Sequence, residues 1–283
     1  MAAPPVVPTR APGAAKRAGL RRIVDPSMLL LIAALLGIWA LVSRFTPAYA
    51  LPSIPSVVEQ LGRILSSWES LQGLLTTLAR VAAGLASAFL AGGALGVLMG
   101  MHAAVSRLLL PPVRFVQGIP SLSWVIIAVI WFADVELRVW FVMVLVTLPG
   151  FALQAYDSYR AIPADLRDMA RSLRPGRWSM FREITLPAIT PGIFTAWKVN
   201  LGLGIRMVLI AELVGATVGV GAELLSAQQL FDMSAVISWT LLLAFCMLLL
   251  QAVIELIESR VLRYRPAITG QRRARATAPT AKG

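Results

Sequence analysis

Few side chains in this sequence could do covalent or metal chemistry. There is one cysteine, Cys246, and one histidine, His102, too few for a disulfide framework or a Cys/His metal cluster. Cys246 stands in an apolar run, where a thiol behaves as a small hydrophobe, and His102 falls in a predicted loop. No metal site is expected. The lysines are Lys16, Lys198 and Lys282, and none follows a glycine. The phosphate-cradling G-x-x-x-x-G-K-[ST] loop is therefore missing. The sequence offers no catalytic residues and no cofactor or ATP site of its own.

What remains is charge in unusual places. Lys198 and Arg206 interrupt a long apolar stretch at 186–211, and Glu212 follows it directly. Counting ~1.5 Å per helical residue from Leu186, Lys198 lies about 18 Å in, Arg206 about 30 Å, and Glu212 beyond it. Ionised groups at such depth are costly and usually face a bundle interior or a wet path. Cations lining a path would attract an anionic solute. The alternative is structural: Lys198 or Arg206 pairs with a carbonyl or with Glu212 and fixes helix packing. Arg114 and Gln117 are three residues apart, share a helical face, and form a second candidate lining.

The elements that position these groups are membrane helices. Of 283 residues, 58% are hydrophobic and only 14% charged, and mean hydropathy is +0.75. A soluble core could not bury that much apolar side chain. We expect an all-α polytopic membrane protein. Apolar runs at 28–42, 81–101, 115–133, 139–156, 186–211 and 233–254 predict six helices, since about 18–20 residues cross the ~30 Å hydrocarbon layer. The organisation is a disordered tail (1–27), a membrane domain (28–265) and a basic tail (266–283). The first run, followed by Ala48-Tyr49-Ala50, reads as a retained anchor or as a cleavable signal peptide; the long basic leader and five later spans favour the anchor.

Net charge is +12, and topology accounts for it. With the N-terminus inside, most Lys and Arg fall in the tails and in the 160–186 loop, as the positive-inside rule requires. Both termini are then cytoplasmic, and no nucleic-acid partner is expected. Arg272-Arg273-Ala274-Arg275 reads as a solvated tail or as a contact to anionic lipid.

Three packing signals stand out. Ser56-x-x-Glu59 has capping-box form, and Val57, Leu61, Ile64, Leu65 and Trp68 then share one face, predicting an amphipathic helix on the outer membrane surface. Gly84, Ala88, Gly92, Gly96 and Gly100 recur every four residues, a ridge that lets another helix approach closely. Gly118-Ile119-Pro120 predicts a kink; a path-lining kink and an architectural one both remain open.

The 160–186 loop carries an elbow of two short helices. Leu166, Met169, Ala170 and Leu173 form an apolar stripe, Arg167, Arg171 and Arg174 line the other side, and Pro175-Gly176 ends the first helix. A second helix, 178–183, leads to Ile184-Thr185-Leu186-Pro187. The stripe suits docking into a groove on a partner or lying on the inner leaflet. This loop resembles the EAA loop of ABC-importer membrane subunits, E-A-A-x-x-x-G followed after nine residues by I-x-L-P. Asp168-Met169-Ala170 stands at the triplet, Arg174 at the glycine with Gly176 nearby, and Ile184, Leu186 and Pro187 at their expected places. Leu51-Pro52-Ser53-x-Pro55-Ser56, Leu78-x-Arg80-Val81-x-x-Gly84, Ile119-Pro120-x-Leu122-x-Trp124, Trp131-Phe132 and Ala211-Glu212-Leu213-Val214-Gly215-Ala216 with Gly219-x-Gly221 are similar to nitrate/sulfonate/taurine-type permeases.

The resemblance implies a type I importer, MetI-like fold in the bacterial cytoplasmic (inner) membrane, without catalytic chemistry. Two permease copies would pair in the lipid as a homodimer; two ABC ATPase subunits holding Mg-ATP would dock inside, and an extracytoplasmic solute-binding protein would deliver a small anionic solute. Coupling would run through Leu166, Asp168, Met169, Ala170, Arg171, Leu173, Arg174, Gly176, Leu186 and Pro187. An ion-coupled secondary transporter or channel is the alternative, with Lys198 and Arg206 in its path; an intramembrane enzyme lacks paired polar catalysts.

Overall fold

The computed structural model describes residues 26–163, 172 and 176–262. The described residues are helical throughout, without strands: α1 Pro26–Val42, α2 Ile54–Ser66, α3 Trp68–Met101, α4 Ala103–Gly118, α5 Ser121–Trp131, α6 Val135–Arg160, α7 Arg177–Met180, α8 Leu186–Leu213, α9 Val220–Gln229 and α10 Met233–Val261. A π-helical turn, Phe181–Thr185, joins α7 to α8. By length and composition, α3, α6, the run Trp178–Leu213 and α10 can each cross a bilayer.

The predicted third span is not one helix. α4 and α5 meet at a 92° bend, and the break falls at Ile119-Pro120. Proline has no N–H to donate and its ring disfavours helical backbone at the preceding residue. Taken as one broken span, the pair is a fifth crossing. α1 has 17 residues, at the lower edge of what can span. The six predicted apolar runs thus correspond to four long helices, a pair bent where the kink was expected, and a short apolar helix.

Other boundaries moved for local reasons. α3 begins thirteen residues before the predicted start and is 34 residues long, about 51 Å. It therefore extends well past the hydrocarbon layer, and its polar first turns make specific contacts described below. The capping box at Ser56 is not formed: Ser53 is the N-cap, accepting from the Ser56 N–H at 3.4 Å, and Glu59 pairs with Arg63 one turn on. The apolar face of α2 packs against the bundle. Val57 and Ile64 are buried, and Ser238 of α10 donates to the Val57 carbonyl at 3.0 Å. The predicted elbow helix 178–183 runs without interruption into the following span. Asp134 and Asp232 cap α6 and α10, accepting from Leu137 and Ala235 N–H at 2.8 and 3.0 Å, a role short carboxylates fill well.

The small-residue ridge of α3 is the seam against α6. A Cβ on Gly84 would meet Met143 Cγ at 2.1 Å, one on Gly92 the Leu148 carbonyl at 2.6 Å, and one on Gly96 the Ala152 carbonyl at 2.2 Å. Only glycine permits that backbone approach, which replaces the hydrophobic drive missing between helices in lipid. Phe89, Phe151 and Trp197 tie α3, α6 and α8 together, with ring centroids 5.4–5.6 Å apart. α1 and much of α10 stay exposed and apolar, as suits lipid-facing helices.

Candidate functional site

Two polar regions and the described part of the elbow are where function can reside. The first joins the start of α3 to the end of α8. Glu212 is fully buried, and an isolated carboxylate there would be very costly. It is instead surrounded by donors: the Thr77 hydroxyl at 2.9 Å, Arg80 Nη1 at 2.6 Å and the Gly221 N–H at 2.9 Å. Thr77 in turn accepts from the Val220 N–H at 2.8 Å. Arg80 also donates through Nη1 to the Val218 carbonyl at 2.8 Å, and its other face pairs with Glu136 of α6 through Nε at 2.9 Å and through Nη2.

The loop after α8 folds over this carboxylate because it has glycines where side chains cannot fit. Gly219 has φ +133°, and a Cβ there would lie 2.6 Å from Glu212 Oε1 and 2.8 Å from Arg80 Nη1. On Gly221 a Cβ would lie 2.4 Å from Glu212 Cβ. Arg138, also buried, braces the same loop by donating to the Val214 carbonyl at 2.7 Å. The sequence marks around Arg80, Glu212 and Gly219-x-Gly221 are thus parts of one clamp. Its chemistry is charge neutralisation, and it fastens α3, α6, α8 and the start of α9 at one end of the bundle.

The second region is the α4–α5 break. A cavity of about 260 Å³ lies there, lined by Gln117, Ser121, Trp124, Asn200 and Gly150 with apolar neighbours. Asn200 is 2% exposed and donates through Nδ2 to the Ala196 carbonyl at 2.9 Å. Trp124 Nε1 is buried and has no hydrogen-bond partner among the described residues. Helix α5 opens at Ser121 with no side-chain cap, so first-turn amides that a helix leaves unpaired sit at this point. A Cβ on Gly150 would come within 2.5 Å of Asn200 Oδ1; its absence leaves room for the amide. Along α8, Asn200 is about 21 Å from Leu186 and about 20 Å from Leu213, near the middle of the span.

The other sequence candidates are dispersed. Lys198 pairs with Glu258 of α10 at 2.5 Å, with side-chain exposures of 27% and 22%. Arg206 and Arg114 are exposed on the single chain, as is Gln117, which alone of the three borders the cavity. Of the coupling residues, Leu166, Asp168, Met169, Ala170, Arg171, Leu173 and Arg174 lie outside the described residues. Gly176 and Leu186 are exposed, Pro187 occupies the first turn of α8, and Trp178 stacks on Phe181 with centroids 5.8 Å apart. Sequence reasoning missed Asn200 and the open N–H of Trp124. A lone amide two residues after Lys198 in an otherwise apolar run was the available signal.

Comparison with known proteins places this architecture. Residues 92–263, more than half of the chain, match the family described as binding-protein-dependent transport system inner membrane component. The nitrate import permease protein NrtB of Leptolyngbya laminosa is 29% identical over 250 residues, covering 86% of this chain and 88% of that one. The taurine transport system permease protein TauC of Escherichia coli K12 is 26% identical over 241 residues, 81% of this chain and 86% of TauC. The bicarbonate transport system permease protein CmpB of Synechococcus elongatus is 29% identical over 190 residues, 67% of this chain and 68% of CmpB. In fold, the chain is similar to the MetNI methionine ABC transporter in an inward-facing conformation, with TM-score 0.59 at 19% identity over 70% of this chain and 96% of that one. A helical membrane bundle with these matches belongs to the binding-protein-dependent transport system inner membrane components and is the permease subunit of an ABC importer.

Proposed function

We propose that this chain carries small anions inward across the bacterial inner membrane. Membership of the family implies ATPase partners and a solute-binding protein. The observation that carries the substrate class is the chemistry shared by the cargoes in its relatives' names. Nitrate, taurine and bicarbonate each present an oxyanion head.

Two copies pair in the lipid, both termini face the cytoplasm, and an external binding protein delivers the solute. Mg-ATP binds and is hydrolysed on the partner ATPases, with no cofactor on this chain. The apolar stripe Leu166, Met169, Ala170 and Leu173 docks in the ATPase, while Asp168, Arg171 and Arg174 take its polar side. Gly176, Leu186 and Pro187 carry the push into α8, as rigid-body switching between two packed states. Lys198 reads as a strut to Glu258, and Glu212 as part of the clamp. Arg114, Gln117 and Arg206 remain the candidates for the path.

The test is uptake into proteoliposomes holding the permease, its ATPase and its binding protein. ATP-dependent accumulation of nitrate, taurine or an alkylsulfonate is the expected result. Failure of every anion, with uptake of a neutral or cationic solute, overturns the substrate class. Ala170→Asp and Leu173→Asp should each abolish uptake and coupled ATPase activity while membrane insertion stays normal. Full coupling in either variant overturns the docking assignment.

A further inference from the structure

We propose that a slot between the end of α3 and the start of α8 holds one acyl chain of an anionic phospholipid. The slot is a crevice of about 320 Å³. One wall runs along α3 from Phe89 to Met101, the other from Phe181 to Ile193, and Ala155 of α6 lies between them. Every lining side chain is apolar, so the slot offers water or a polar solute nothing to bond. Left empty, its walls forfeit dispersion contacts, which an apolar guest restores. The slot opens to lipid: it lies between two helices that can cross the bilayer, and Leu90, Leu98 and Leu186 on its rim are 69%, 44% and 40% exposed.

Shape selects the guest. Phe89 to Met101 is about 18 Å along the helix, slightly more than half of the ~30 Å hydrocarbon layer. Spread over that length, 320 Å³ leaves a mean cross-section of roughly 20 Å². One hydrocarbon chain fits; a neighbouring helix, ~10 Å across, does not. Gly93 keeps the slot open. A Cβ there would meet only the ring of Phe89, at 3.6 Å, whereas one on Gly92 or Gly96 would strike the backbone of α6. The ridge that seats α6 therefore has a second small-residue face that no described element fills. Trp178, 70% exposed, stacks on Phe181, and tryptophan favours the headgroup level. This end of the slot thus lies where a lipid head would sit. Arg182 follows Phe181 and is exposed, while Glu183 beside it accepts from the Ser179 hydroxyl at 2.9 Å. The guanidinium offers a lipid phosphate charge-assisted hydrogen bonds. Phe181 and Leu186 also bound the π-turn, closed by the Leu186 N–H on the Phe181 carbonyl, so a chain in the slot packs the joint between elbow and α8 against α3.

The test counts lipid. The assembled transporter is placed in nanodiscs of phosphatidylcholine and phosphatidylglycerol in equal parts, extracted in mild detergent and analysed by native mass spectrometry. Gly93→Leu fills the slot with its own side chain. We expect wild type to retain one phosphatidylglycerol per permease chain more than Gly93→Leu, at an unchanged unfolding midpoint. Ala94→Leu, at an exposed lining position, is the second filling variant and should show the same difference. Equal lipid counts in wild type and in either folded variant overturn the slot. Arg182→Gln should keep the extra lipid and lose the preference for phosphatidylglycerol. An extra lipid that is phosphatidylcholine as often as phosphatidylglycerol in wild type overturns the anionic head, and a preference that survives in Arg182→Gln overturns the role of Arg182. A photoreactive group at Leu90 should label lipid; a crosslink to a second permease copy instead shows that protein covers the slot, and the proposal falls. The count involves no transport, so its failure leaves the small-anion reading intact.

Discussion

The Glu212 clamp and the α4–α5 break draw on the same kinds of atoms and leave them in opposite states. At the clamp, a fully buried carboxylate accepts from a hydroxyl, a guanidinium and a backbone amide, and the hydroxyl that donates is itself paired. At the break, a buried indole N–H has no partner and a helix begins uncapped. A low dielectric strengthens polar contacts that are made and penalises those left open. The clamp therefore holds helices together, whereas the break leaves polar groups open. Polarity inside a membrane bundle does not by itself mark a solute path; a satisfied polar group can be a strut.

Variants can break or sharpen that contrast. The largest effect is expected from Arg80→Met, which strands the buried Glu212 carboxylate and should cost about 3–5 kcal/mol of stability, read from unfolding in detergent. Arg80→Met with Glu212→Met should recover much of that loss, because the stranded charge is gone. A single-variant cost under about 1 kcal/mol would mean that the clamp is solvated like a surface pair. Gly219→Ala comes next. Its φ of +133° is unfavourable for an L side chain and should cost about 1–3 kcal/mol, whereas Gly37→Ala, with nothing within 4 Å, should be near neutral.

Trp124→Phe belongs to the other side of the comparison. Since its N–H bonds nothing among the described residues, the midpoint of unfolding should shift by less than about 0.5 kcal/mol. A large loss would show that this N–H is structural after all. The smallest effect is expected at Glu223 in α9, whose carboxyl is pushed up by burial and then by the Glu69 carboxylate. The folded state then holds this proton more tightly than the unfolded one, so the stabilisation is present at low pH. It is lost as pH rises from the ordinary carboxylate range through the raised value. Glu223→Gln should lack that loss, and the difference between the two melting profiles across pH measures it.

Some of this was legible in local patterns. The glycine ridge of α3 spelled out a close helix contact, because a four-residue repeat places small residues on one face whatever the partner; α6 turned out to be that partner. Ile119-Pro120 announced its break because proline acts on its own backbone. The capping box at Ser56 failed because Ser53, two residues before Pro55, offered an earlier cap. The start of α3 was hidden because Trp68 continues the stripe of the preceding amphipathic helix and the polar Thr77 and Arg80 have their partners on α8 and α6, far away in sequence. Glu212 was seen as a charge at depth with two readings, and Arg80 stands 132 positions away, so no window could pair them.

The chain alone therefore determined the solvent it lives in and its helical class. Those follow from sums over composition, which need no geometry. Tertiary structure alone decided which polar groups neutralise one another and which remain open. That outcome depends on distances of a few ångströms between segments far apart in sequence, and hydrogen bonding changes sign from cost to gain over just that range.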